Sequence, residues 1–419
     1  FFSFFFTIFT QTLTAMIRQL ISFSLLLSFF SLTSCSNNVN VDLLPVSDGD
    51  IFRYIDKEGK IKINPQFQEA GLFREGLAAA KTNGDNPKWG FINEKGEFVI
   101  QPIYKEVTSF SDGLAWVVME KGSPVAIDQK GKTVFSLPKA KEVRVFSEGL
   151  AAFSVESDGD DKWGFVDKKG NIKINNQFEY CSVAGFKDGL CAVRKDGKWG
   201  YIDEKGGIKI NAQFDGARDF KDGIAIVEIK NKYGSIDKKG DYILSTTYED
   251  LAADGDLYLF KKDDKYGWCD AKGKIIINHQ YNNAMPFMGN NLAPVEQTDG
   301  KWGYIDKEGK SSIPPQFGLA LPFLNGLAFV ASGKNSVSFI DEKGSYVTTA
   351  EIKGISRDYT NHVLGLGTAY NSVRTDKREE VKPDMGELPL PDGSFETEAP
   401  EAATVAPTTT DTAWGAPDF

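Results

Sequence analysis

The sequence predicts an all-β fold, a tandem array of nine antiparallel β-repeats stacked as an open curved or superhelical solenoid. Three observations predict it. An Asp or Asn, two mostly polar residues and a Gly recur nine times at spacings of 33–39 residues. The residues beside each such turn alternate apolar and polar with the period of a strand. Gly is abundant, at 41 of 419 residues, enough to supply turns along the whole chain. A chain of this length ordinarily divides into two or three cores, but a fixed internal period points to one small unit repeated. A closed β-propeller is the alternative. Nine units exceed the four to eight blades usual for propellers, and the end units look like caps, so the open array is the expectation.

The N-terminal segment is of a different kind. Met16-Ile17-Arg18 makes a short basic start, residues 20–32 are mostly Leu, Phe and Ser, and Leu32-Thr33-Ser34-Cys35 follows. A positive start, 7–15 apolar residues and a small-residue end describe a secretory signal. Ending on Leu-x-small-Cys, the segment resembles the lipobox of bacterial lipoproteins. The resemblance implies cleavage before Cys35, lipid on the new terminal Cys, an export signal over 1–34 and a tether over 35–50. Each buried methylene adds about 0.8 kcal/mol, so several chains anchor firmly. Residues 1–15 hold no Met and no charge; they read as upstream sequence translated in error, with Met16 as the start. One long uncleaved transmembrane helix through residues 1–34 is the alternative that length permits.

The repeats occupy residues 51–350. The turn residues are Asp56, Asn93, Asp128, Asp167, Asp203, Asp237, Asp270, Asp306 and Asp341, and a Gly stands three residues after every one of them. Asp at the head of a turn hydrogen-bonds the turn backbone, and Gly accepts the left-handed conformation. Lys198-Trp199-Gly200-Tyr201-Ile202 reads as the strand entering such a turn, and Ile208-Lys209-Ile210 as the strand leaving it. Phe220-Lys221-Asp222-Gly223-Ile224-Ala225 then makes a second turn into another strand.

These pieces resemble the WG-repeat (KWG-repeat) family. The carriers are Lys88-Trp89-Gly90-Phe91-Ile92, Lys162-Trp163-Gly164-Phe165-Val166, Lys198-Trp199-Gly200-Tyr201-Ile202 and Lys301-Trp302-Gly303-Tyr304-Ile305, with Tyr233-Gly234 and Tyr266-Gly267 as variants. Phe-x-x-Gly-Leu-Ala recurs at 73–78, 110–115 and 323–328. The resemblance implies a mostly bacterial, often exported repeat protein and names no activity. The units around Asp56, Asp128 and Asp341 lack the Trp-Gly pair. Two of these are terminal, where atypical caps are common; the one at Asp128 is internal and unexplained by the sequence.

Past residue 350 the period stops. Residues 351–370 fit no class. Residues 371–419 hold 4 basic and 11 acidic side chains with much Pro and Thr, too little apolar material to offset ordering entropy, and read as a disordered tail. The net charge of the whole chain is -10. An acidic tail on a mildly acidic body argues against nucleic acid as a partner.

Catalysis needs unlike residues that converge, and this sequence repeats like ones. No catalytic set, metal-ligand spacing, phosphate loop or cofactor motif is expected. The nine turn Asp read as turn formers, not a metal ladder, and Asp158-Gly159-Asp160-Asp161 lacks the full ligand set of a calcium loop. His279 takes the place that Pro65 holds in an earlier unit and reads as a turn substitution; His362 lies in the unclassified stretch. Cys191 fills the Ala place of Gly-Leu-Ala and Cys269 reads as buried; a Cys181–Cys191 disulfide is open in an exported chain. The column Trp89, Trp163, Trp199, Tyr233, Tyr266 and Trp302 is the candidate binding or structural feature. Exposed, it would be a platform for sugar rings; buried, it fills the space between repeats, each large aromatic covering about 150–250 Å². Burial is the expectation. The functional expectation is a non-catalytic, lipid-anchored envelope module binding a polysaccharide or an envelope protein. A β-propeller-like enzyme acting on polysaccharide is the rival, and the short spacings leave little room for catalytic loops.

Overall fold

The computed structural model describes residues 39–49, 51–157, 159–332, 337–347, 352–363 and 370–375. The fifth unit, counted by Asp203, shows the pattern. Its first strand (Tyr180–Cys181), second (Leu190–Lys195), third (Lys198–Asp203) and fourth (Ile208–Phe214) pair in order into one antiparallel sheet. The first-to-second turn is a two-residue hairpin at Asp188 and Gly189, both at positive φ, as the twist of a tight hairpin requires. In the third-to-fourth turn the Asp203 carbonyl accepts from the Gly206 N–H at 2.9 Å, and its carboxylate accepts from the Lys205 and Gly207 N–H groups at 3.0 and 2.7 Å. Those donors, Gly207 foremost, hold the Asp203 carboxyl below its usual range. The same side-chain-to-backbone pair forms at all eight sister residues.

The third strand is buried on both faces because a sheet lies on each side. Trp199 and Tyr201 face the sixth unit and share a core with Val227 and Ile236. Ile202 faces back and joins Trp163 and Phe165 of the fourth. Tyr201 packs against Phe220 at 4.8 Å and donates its hydroxyl to the Arg218 carbonyl at 2.7 Å, so one side chain supplies both the apolar and the polar tie to the next unit. The Gly after Trp is a steric requirement: a Cβ on Gly200 would sit 2.6 Å from the Ile210 carbonyl oxygen, where the fourth strand bulges across the third.

Each fourth strand leads into the first strand of the next sheet, and the ninth unit does this for the first. Gly354–Ile355, which follows the ninth turn, pairs antiparallel with Leu44–Ser47 and completes the sheet of Phe52–Ile55. Leu44, Val46 and Ile55 share one core with Phe339, Ile340 and Tyr359. The result is a curved tandem array of stacked antiparallel sheets, none of which rolls into a barrel among the described residues. The end units, expected to be caps, cap each other.

The structure accounts for the odd internal unit. In units two, four and five a small residue on the second strand faces a large aromatic on the third, in the pairs Ala79–Phe91, Ala152–Phe165 and Ala192–Tyr201. In the third unit the pair is reversed, Trp116 facing Ala126. Trp116 stacks on Phe146 at 5.5 Å and donates its indole N–H to the Arg144 carbonyl at 3.0 Å. It therefore makes from the second strand the two ties that Tyr201 makes from the third.

The unclassified stretch after residue 350 includes a strap. Helix Arg357–Val363 buries Asp358 against unit two, where it accepts from the Leu72 N–H at 2.8 Å and pairs with Arg74 at 2.5 Å. Tyr370 meets Trp89 edge-on at 4.9 Å, and its carbonyl accepts from the Ser109 N–H. Ser372–Arg374 then adds a fifth strand beside Glu142–Ser147, held by an Arg374–Glu142 ion pair at 2.7 Å. The tail expected to be disordered from residue 371 is thus ordered at its start, because a sheet edge satisfies its backbone. The signal segment, Cys35 and residues 376–419 lie outside the described residues.

Candidate functional site

The aromatic column lies inside the array. Trp89, Trp163, Trp199, Tyr266 and Trp302 are buried, Trp199 to 3% exposure, and Tyr233 is half-buried. Each stands opposite an aromatic of the fourth strand: Tyr104, Phe178, Phe214, Tyr281 and Phe317 for the buried five, Tyr248 for Tyr233. In the first unit Phe52 takes the Trp place, opposite Phe67. The column offers no flat face to a sugar ring.

The second-turn acids have a role that the sequence did not suggest. Glu75, Asp112, Glu148 and Asp188 each accept from the backbone N–H of the corresponding Gly in the next unit, at 3.0, 2.7, 2.9 and 2.7 Å to Gly113, Gly149, Gly189 and Gly223. Asp254, one place earlier at the end of its strand, makes a different tie to the next unit by accepting from the Phe287 and Met288 N–H groups. Burial raises its carboxyl pKa against those donors. The signal lay in the recurring acid-Gly pair, which reads as a turn from within one unit and as a clamp only between two.

First-strand edges differ along the array. In units one to four the strap lies against them. In the fifth, the Cys181 carbonyl accepts from Arg144, whose guanidinium is 2% exposed and stacked between Trp163 and Tyr180 at 3.8 and 4.7 Å. In the seventh, the Leu251 carbonyl accepts from Arg218 at 2.8 Å, and Arg218 also pairs with Asp250 at 3.3 Å. Beside Arg218 a shallow depression is lined by Arg218, Asp219, Lys221, Ile224, Ile226 and Ala253.

Other candidates from the sequence are structural in place. Cys181, Cys191 and Cys269 are free thiols and buried. Burial pushes Cys181 up to about 12 and Cys269 up to about 11, so both stay protonated and poorly nucleophilic. His279 lies on the fourth strand Ile275–Tyr281, 3.7 Å from Asp263. His362 lies on the strap helix, where burial and the nearby Arg74 charge push it down to about 4. Among the described residues no group of three or more His, Cys, Asp or Glu is arranged to hold a metal.

A family model described as WG containing repeat matches seven times, over residues 52–84, 89–121, 163–199, 199–233, 233–266, 266–302 and 302–335. The chain belongs to the WG containing repeat family. The turns without a match are the third, beside the reversed Trp116–Ala126 pair, and the ninth. No curated protein matches the chain. Among solved structures, BamB from Moraxella catarrhalis is similar at 14% identity over 71% of this chain and 97% of its own, with a TM-score of 0.37. Hsv2p of Kluyveromyces lactis is similar at 9% identity over 57% and 93%, with a TM-score of 0.34. PorZ, an essential bacterial surface component of the type-IX secretion system of Porphyromonas gingivalis, is similar at 10% identity over 67% and 44%, with a TM-score of 0.29.

Proposed function

We propose that this WG-repeat chain is a non-catalytic scaffold of the bacterial envelope, held to a membrane by lipid on Cys35, and that its partner is an envelope protein. The supporting observation is where the chemistry-bearing side chains go. Turn Asp residues bond their own turns, second-turn acids clamp the next unit, and the aromatics that would stack on sugars fill the core. What the array offers outward is a long surface of repeated units, which suits macromolecular docking. The interior column favours protein over glycan. Photo-crosslinkers at the exposed Lys195 and Lys262 test this in cells of the source organism. Covalent capture of one envelope protein at either position is expected. Binding on a glycan array with no crosslinked protein would transfer the reading to a polysaccharide, and turnover of a polysaccharide would overturn it.

A further inference from the structure

The pairing of the N-terminal strand fixes which face of the array points toward the anchor. Val39–Asn40 runs antiparallel to Phe73–Arg74, with Asn40 opposite Phe73 and Val39 opposite Arg74. Moving back toward Cys35 therefore means moving past Arg74 to the hairpin turn at Glu75 and Gly76. Asp42 is tied to a second such turn, accepting from Asn325. Strands alternate in direction, so first-to-second and third-to-fourth turns share one face. Contacts between the two kinds of turn agree: Lys168 donates to the Asp112 carbonyl at 2.9 Å and Gln129 to the Glu75 carbonyl at 3.4 Å. The clamps from Glu75 through Asp188 carry that face from the second unit to the sixth. The C-terminal strand runs the other way. Ser372–Arg374 starts beside Arg144 and ends beside Glu142, and the Thr375 N–H donates to the Lys141 carbonyl, so Thr375 reaches the opposite face.

We infer that the face formed by the Asp-x-x-Gly and acid-Gly turns lies against the phospholipid surface, and that the opposite face, with the Asp196–Gly197 type of turn, points away from it. This rests on the Cys35 anchor proposed above. Four residue steps lead from Cys35 to Val39, and at 3.3–3.6 Å each they reach at most about 14 Å. A six-residue strand spans about 20 Å, longer than that reach. An anchor at Cys35 therefore keeps the turn face close to the headgroups and does not let the array turn over.

The full lipidated chain in phosphatidylcholine vesicles containing a nitroxide-headgroup lipid provides the test. Single fluorophores are placed through Lys205→Cys and Lys272→Cys on the turn face and Lys195→Cys and Lys262→Cys on the other; all four sites are exposed, and the described native cysteines are buried. Quenching at the turn-face sites is expected to be about twofold stronger or more, given faces about 20 Å apart. Equal or reversed quenching on vesicle-bound protein would overturn the orientation and leave the anchor standing. A chain that floats with vesicles no better than its Cys35→Ser variant would overturn the anchor, and the orientation with it.

Discussion

Units one to four and units five to eight are built from the same four strands, yet the first-strand edges of the first group carry an addition that those of the second do not. In the first group a strap from the far end of the chain lies across them, tying Leu72 to Asp358 over 286 residues and adding a strand beside Glu142–Ser147. In the second group closure is local alone: Arg144 reaches the Cys181 carbonyl, Tyr201 the Arg218 carbonyl and Arg218 the Leu251 carbonyl, ties of the kind that Tyr54 and Trp116 also make beneath the strap. A repeat array is held mostly by nearest-neighbour contacts. The strap adds a long-range tie to the first group and, through Tyr359, to the core of units eight and nine, so units five to seven should come apart under different perturbations from the rest.

The largest effects are expected where that distinction is sharpest. Asp358→Ala leaves Arg74 buried without its counter-ion, which costs about 3–5 kcal/mol. Hydrogen exchange should show lost protection in the strap helix, in Ser372–Arg374 and in units one and two, with units five to seven spared. Trp199→Ala should do the converse at similar cost, about 3–5 kcal/mol for a buried aromatic. Loss should centre on units five and six, because the Trp199 core spans those two, while the strap keeps its protection. Uniform loss in either variant would mean that the body unfolds as one unit and that the comparison has no thermodynamic content.

A smaller effect tests whether the third unit is a reversed copy of its neighbours. Trp116→Ala alone should open a cavity beside Phe146. Adding Ala126→Trp restores an aromatic from the facing strand, as in the regular units, and should recover about 0.5–3 kcal/mol, the range of coupling between contacting residues. Exchange protection around Phe146 reads the recovery. A double variant no better protected than Trp116→Ala would show that the reversal cannot be undone in this backbone.

How much of this was legible follows from how local each signal is. The Asp203 turn declares itself within five residues, and the need for Gly206 and Gly200 is readable beside it. The burial of Trp199 was inferable because an aromatic repeated in step with a turn must meet its neighbours. The Trp116–Ala126 reversal was not, because nothing in residues 114–128 says which strand will fill the space between two units. The strap was least legible. Its residues repeat nothing, and Asp358, Tyr370 and Ser372 acquire partners only once the array has brought Arg74, Trp89 and Arg144 to one side. Of the candidate site, the column was visible from the sequence, whereas the depression beside Arg218 depends on the stacking of two units.

The last expected effect concerns pH and acts through the strap helix. His362 sits on the strap helix facing Arg74 and Asp358. Burial and the Arg74 charge outweigh the attraction of Asp358, and the imidazole is pushed down to about 4, from about 6.5 in an unfolded chain. A group depressed on folding takes up its proton first in the undocked state, so acid favours undocking. The contribution of this site is complete above about pH 6.5 and declines as pH falls toward 4. Exchange protection of Arg357–Val363 should therefore weaken between pH 7 and pH 4.5 before that of units five and six. His362→Gln should flatten the change while leaving the Asp358–Arg74 pair intact. If the variant and the parent lose strap protection along the same pH curve, His362 does not govern the response and this reading of the strap helix falls.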